Sequence, residues 1–192
     1  MKHLAITGGI ATGKSLICKI FETLGASVYY SDVKAKLLMV SNFQIKKELI
    51  DYFGEAVYEN NELNKVFLAN KIFNNEADRR YVDSIVHPVV IDDYLQWRET
   101  NSAKFTIMES ALVPKLNIEN LFDKIITVSS PEAIRVGRIM RRDAVSIDDA
   151  MTKIKSQTSE DMYNLISDYI ILNDEQTFLT PQVLEIYKGL NL

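Results

Sequence analysis

Gly8-Gly9-Ile10-Ala11-Thr12-Gly13-Lys14-Ser15 fits the pattern G-x-x-x-x-G-K-[ST] in full, the spacing of a loop that wraps a phosphate chain. Glycines let the backbone bend tightly, so that successive N–H groups from Gly9, Ile10, Ala11, Thr12 and Gly13 can point inward at an anion. The helix that follows adds its free N-terminal donors and the positive end of its dipole. Lys14 is then placed to reach the β- and γ-phosphates of ATP, and the Ser15 hydroxyl to ligate Mg²⁺. The competing reading is a glycine-rich strand-to-helix turn with no ligand. The setting favours the nucleotide, because the motif demands a strand before it and a helix after it.

Both are present. His3 to Thr7 reads as a short buried strand, and Lys14 to Leu24 as a helix, since Leu16, Ile17, Ile20, Phe21 and Leu24 recur at helical spacing. Gly25 is a natural stop. Ala26 to Tyr30 is a second strand, with Ser31-Asp32 leading into a helix that ends near Val40. Helices follow over Phe43–Phe53, Lys65–Phe73 and Ala77–Trp97, the last expected to break or kink at His87-Pro88. Strands return at Lys104–Met108, Lys124–Val128 and Tyr169–Leu172. Helices are expected over Pro131–Arg142, over Ile147–Gln157 with Ser146 as N-cap, and over Pro181–Tyr187. Five strands separated by helices predict an α/β, three-layer P-loop NTPase fold: a central parallel five-stranded sheet with helices on both faces. The helical stretch from about 33 to 100 reads as an inserted acceptor-binding subdomain, and about 131 to 160 as a lid.

The 192 residues suit one such domain. A net charge of −4 argues against a dedicated nucleic-acid binder, and no apolar run approaches the length of a membrane span. Gly8-Gly9 interrupts the apolar start before a signal-type core can form, so the N-terminus reads as structural. Cys18 is the only cysteine, which rules out an intrachain disulfide and fits the cytoplasm. Its helical setting makes it a packing residue. A monomer or weak homo-oligomer is expected.

The loop does not by itself separate GTPases, motors and small-molecule kinases. No Asn/Thr-Lys-x-Asp tetrapeptide that reads guanine is present, and the chain is short for a motor. A helical insertion plus late arginines favours a kinase that closes over its reactants and excludes water. Arg135, Arg138 and Arg142 fall three and four apart, on one helix face, where their mutual repulsion favours an anionic partner; a solvated face is the plainer alternative. Asp32 follows the carboxyl end of a strand, where ligands bind in open α/β sheets, yet Ser31-Asp32 also suits a helix N-cap. Tyr29, Tyr30 and Phe53 are either acceptor-pocket or core aromatics. No His/Cys/Asp/Glu cluster has metal-ligand spacing, so the expected metal is Mg²⁺ arriving with ATP.

Over nearly its whole length the sequence resembles the dephospho-coenzyme A kinase family. The likeness is carried by Leu4-Ala5-Ile6-Thr7-Gly8-Gly9-Ile10 with Gly13-Lys14-Ser15, by Phe21-x-x-Leu24-Gly25, Val28 and Ser31-Asp32, and by Phe53-Gly54, Leu63, Leu68 and Ile72-Phe73. His87-Pro88, Pro131-Glu132, Arg138, Arg142-Asp143, Gln157, Asp168 and Asn173 continue it. The resemblance implies that Asp32 is the base facing the ribose 3′-hydroxyl of dephospho-coenzyme A. It also implies that Arg138 and Arg142 clamp phosphates, that His87 lies in the acceptor region, and that Asn173 belongs to the ATP side. Departures fall on the acceptor side. Tyr30 replaces an acidic residue, Lys65 an arginine, and Ser110-Ala111-Leu112-Val113-Pro114 lacks the family's glutamate, with Glu109 the carboxylate just upstream. Two other readings stay open: a small-molecule kinase with a different acceptor, and a nucleotide-binding regulator that has lost catalysis.

Overall fold

In a computed structural model, which describes residues 1–191, the chain forms two compact units: Met1–Tyr29 with Asn101–Leu192, and Tyr30–Thr100. Its elements in order are β1 (Lys2–Thr7), α1 (Lys14–Thr23), β2 (Ala26–Tyr30), α2 (Ser31–Ser41), α3 (Phe43–Phe53), β3 (Tyr58–Glu59), β4 (Glu62–Leu63), α4 (Lys65–Asn74), α5 (Glu76–Glu99), β5 (Phe105–Glu109), α6 (Val113–Leu116), β6 (Lys124–Ser129), α7 (Glu132–Asp143), α8 (Ile147–Lys155), α9 (Glu160–Leu165), β7 (Tyr169–Leu172) and α10 (Leu179–Gly189).

The expected five strands make one sheet in the order β2-β5-β1-β6-β7. β1 pairs in parallel with β5 on one side and β6 on the other, and β6 with β7. β1 is therefore central, and its run Leu4-Ala5-Ile6-Thr7 is fully buried, as a strand covered on both faces must be. α1 buries Ile17, Cys18 and Phe21, and Phe21 meets Phe105 of β5 edge-on with ring centroids 6.2 Å apart. Tyr29 is wholly buried and so belongs to the core.

The second unit consists of α2 to α5 and the β3–β4 hairpin. The hairpin has no counterpart in the sequence reading. Two-residue strands leave no alternation to detect, and only Asn60 and Asn61, both at positive φ (50° and 70°), mark the turn. α5 is continuous through His87-Pro88, so of the expected break or kink the break does not occur. An interior proline costs about 3 kcal/mol. The buried stripe Val82, Val86, Val90 and Tyr94, repeating every four residues, supplies the packing that overrides it. A second correction concerns Ser31 and Asp32. Both lie inside the first turn of α2; the N-cap position is Tyr30, and no side chain caps it. The Ser31 hydroxyl is buried with no hydrogen-bond partner among the described residues, so neither residue is taken up in capping.

Candidate active site

The loop between β1 and α1 has the backbone that its sequence requires. Gly8 has φ +133°, Ala11 φ 61°, and Gly13 φ 102° as the residue that starts α1. Leu16 and Ile17 donate to the Gly13 carbonyl at 3.0 and 3.2 Å, which begins the helix directly under the loop.

Every carbonyl from Gly8 to Thr12 is held by a side-chain donor. Lys14 Nζ donates to Gly8 O at 3.0 Å and Gly9 O at 3.1 Å. The Thr12 hydroxyl also donates to Gly9 O, at 3.0 Å. Arg135 Nε donates to Ile10 O at 3.0 Å, and Arg138 Nη1 to Ala11 O at 3.1 Å and Thr12 O at 3.4 Å. Asn173 Nδ2 donates to Thr12 O at 2.7 Å. With these carbonyls engaged by side chains, the loop's remaining N–H groups are what it has to offer an anion. The Ile10 N–H differs: it donates to Gln157 Oε1 at 2.6 Å.

Packing and charge hold α7 and α8 against the loop. Ile10 and Ala11 pack on a buried cluster of Val136, Ile139 and Ala150. Arg138 Nη2 also donates to Asn173 Oδ1 at 3.0 Å and pairs with Glu175 at 3.1 Å, while the Asn173 N–H donates to Ser129 O at 2.8 Å. Arg138 thus ties the loop to the end of β7. Arg135 is half-buried, which lowers its guanidinium pKa, though not far enough to discharge an arginine. A Cβ on Gly9 would lie 2.5 Å from Arg135 Nη2, so the glycine is what admits that side chain.

The three arginines expected on one face divide. Arg135 and Arg138 reach the loop; the hydrogen bonds of Arg142 go to Asp143, at 2.7 and 3.1 Å. Asp143 also accepts from Lys153 at 2.6 Å, clasping α7 to α8. The Arg142 bond, then the Lys153 bond, hold the Asp143 carboxyl far below its usual range. The only signal for Arg135 in the sequence is its spacing from Arg138. Gln157 stood out only through the family likeness, because its partner is 147 residues away. Ser15 is exposed on the first turn of α1.

Two further carboxylates lie at or just after strand ends. Asp32 stands two residues after β2, exposed in the first turn of α2. Glu109 ends β5, is only 8% exposed, and lies 3.9 Å from Lys14 Nζ. His87, in the second unit, has Nε2 3.5 Å from Asp83 on its own helix. Among the described residues no group of three or more His, Cys, Asp or Glu could hold a metal ion, and no helix is long and apolar enough to cross a membrane.

A first test concerns the loop itself. A Cβ on Gly8 would sit 2.4 Å from the Val128 carbonyl oxygen, in a backbone region closed to L-residues. Gly8→Ala is expected to cost roughly 2–4 kcal/mol and to lower the melting temperature by roughly 5–15 °C. An unchanged thermal transition would mean that the loop is not constrained as described.

Comparison with known proteins bears on the same elements. The family model described as dephospho-CoA kinase matches residues 2–178. A dephospho-CoA kinase of Bacteroides fragilis is 35% identical over 184 residues, covering 95% of this chain and 90% of the relative. Among solved structures, a Thermus thermophilus protein superposes with a TM-score of 0.82 at 22% identity, covering 99% of this chain and 96% of that one. Shikimate kinase from Acinetobacter baumannii superposes with a TM-score of 0.60 at 11% identity, covering 100% and 93%. These two likenesses bear on the fold alone and agree with the expected α/β class built on a central parallel five-stranded sheet.

Proposed function

Because the chain belongs to the dephospho-CoA kinase family, we propose that it transfers the γ-phosphoryl group of ATP to the ribose 3′-hydroxyl of dephospho-coenzyme A. The products are coenzyme A and ADP, in the last step of coenzyme A synthesis. The observation that carries this reading is the loop whose five carbonyls, Gly8 to Thr12, are all engaged by side-chain donors. Such a loop offers its amides to a polyphosphate.

In this reading the amides of Gly9 and of Ala11 to Ser15 cradle the phosphates, with the Ile10 N–H held by Gln157, and Lys14 moves onto the β- and γ-oxygens. Arg138 and Arg142 add positive charge from the α7 side. The open groove lined by Ile134, Gly137, Met140, Arg141 and Glu175 seats the adenine, with Asn173 supporting the loop behind it. Mg²⁺ fits the donor set: the exposed Ser15 hydroxyl at the start of α1, with the nucleotide's own oxygens for the rest. Held by Ser15, the metal would supply positive charge that offsets the charge of the phosphates.

Asp32 orients the 3′-hydroxyl and takes its proton as the ribose oxygen bonds to the γ-phosphorus. The bond from that phosphorus to the β-bridging oxygen breaks, and ADP leaves with the electron pair. A high basicity is not needed, since the transition state is loose and positioning does most of the work. His87 belongs to the acceptor side. The substrates, and a lone buried cysteine, suit the cytoplasm.

The test is direct. ATP, Mg²⁺ and dephospho-coenzyme A should yield coenzyme A and ADP in equal amounts, read by chromatography. Turnover of a nucleoside or of shikimate instead would assign another acceptor. ATP binding with no transfer to any acceptor would make the chain a regulator.

A further inference from the structure

Gln157 takes no part in the transfer described above, yet its side chain reaches 147 residues back along the chain to the phosphate loop. Its amide oxygen accepts from the Ile10 N–H at 2.6 Å. Two features place it there. Gln157 stands just past the end of α8, where its own N–H donates to Ile154 O at 3.2 Å. Ala150 of α8 lies in the buried cluster on which Ile10 and Ala11 pack, and Ile154 packs on the same cluster.

The peptide group held in this way joins Gly9 to Ile10. Its other end, the Gly9 carbonyl, accepts from the Thr12 hydroxyl at 3.0 Å and is one of the acceptors around Lys14 Nζ, at 3.1 Å. The two ends of a trans peptide point in opposite directions. Holding the N–H toward Gln157 therefore holds the carbonyl on the side of Thr12 and Lys14. A peptide next to glycine resists rotation only weakly. A stiffer residue at position 9 would displace Arg135, whose Nη2 would lie 2.5 Å from its Cβ. The restraint has to come from side chains elsewhere. A flipped peptide would withdraw the Gly9 carbonyl and set an N–H against the ammonium.

We propose that Gln157 is a positioning residue for ATP binding, which fixes the orientation of the Gly9–Ile10 peptide and so the carbonyl that steadies Lys14. The proposal rests on the ATP-binding reading above. Its measure is the Kd of ATP in excess Mg²⁺, obtained by calorimetry without acceptor. Gln157→Leu, which cannot accept a hydrogen bond, should raise that Kd about tenfold, equivalent to ~1.4 kcal/mol. Thr12→Val frees the other end of the same peptide and should raise it about threefold, or ~0.65 kcal/mol. The double variant should exceed the product of the two effects by about threefold or more, because neither end is then held. In nucleotide-free protein, exchange of the Ile10 amide hydrogen should be about tenfold faster in Q157L than in the wild type. Q157N, one carbon too short to reach, replaces Q157L should the latter lose its cooperative melt.

A role confined to stability would lower the melting temperature and leave the Kd of the folded variant unmoved. A folded Q157L that binds ATP within about threefold of the wild type, or more tightly, overturns the proposal, as do strictly additive effects with T12V. A wild-type protein whose Ile10 amide is protected but which binds no ATP would defeat the functional reading instead, so the two failures are distinguishable.

Discussion

Replacing Lys14 with alanine is expected to lower kcat/KM for ATP by about 10³-fold or more, or ~4 kcal/mol of transition-state stabilisation. The ammonium lies at the loop's start, with Gly8 O, Gly9 O and Glu109 within 4 Å. In the reaction it follows the γ-phosphoryl group, where charge spreads over three oxygens. Alanine removes that charge and leaves Glu109 buried without it. The variant should therefore also lose stability, since stripping one partner from a buried pair costs about 3–5 kcal/mol. The long 3.9 Å separation puts the expectation at the lower end. Adding E109Q should restore part of the stability but none of the turnover. Steady-state kinetics with thermal melts of the two single variants and the double variant separate these effects. Normal turnover in Lys14→Ala would undo the phosphate-loop assignment.

Asp32→Asn should reduce kcat by about 10²–10⁴-fold while changing the Kd of ATP by less than about threefold. The asparagine keeps shape and hydrogen bonding and removes only the proton acceptor and the charge. Asp32 is exposed, makes no cap, and follows β2 by two residues. Were its role only to sit favourably at the start of α2, the substitution would cost about 0.3–1 kcal/mol of stability and leave turnover alone. Turnover measured beside calorimetric ATP affinity decides between the two. Unchanged kcat would remove Asp32 as the base.

The extent to which the site was legible follows the range of the interactions. The phosphate loop was readable because its chemistry is local: glycines for the bend, a lysine and a serine at fixed offsets, a strand before and a helix after. The five strands were readable for the same reason, as short apolar runs between helical periods. α9 and the β3–β4 hairpin were not, being too short to show a period. Arg135 and Arg142 looked alike on a helical projection. They differ because α7 ends at Asp143, where Ala144 turns left-handed at φ 53° and the adjacent carboxylate takes Arg142. Pro88 misled because an apolar stripe outweighed a local penalty. Gln157 and Glu109 act on residues distant in the chain, and single-sequence patterns carry nothing about such pairs.

The clamp on the loop has a bearing on how the protein comes into being. Residues 8 to 12 leave the ribosome long before the donors that hold the Ile10, Ala11 and Thr12 carbonyls, at positions 135, 138 and 173, and before the acceptor for Ile10 at 157. Thr12 and Asn173 are 161 residues apart and chains grow at about 5–20 residues per second, so the loop waits roughly 10–30 s for its last clamp. Truncation before Asn173 removes the donor that reaches Thr12 O at 2.7 Å, so such a polypeptide is expected to gain less thermal protection from ATP than the full chain.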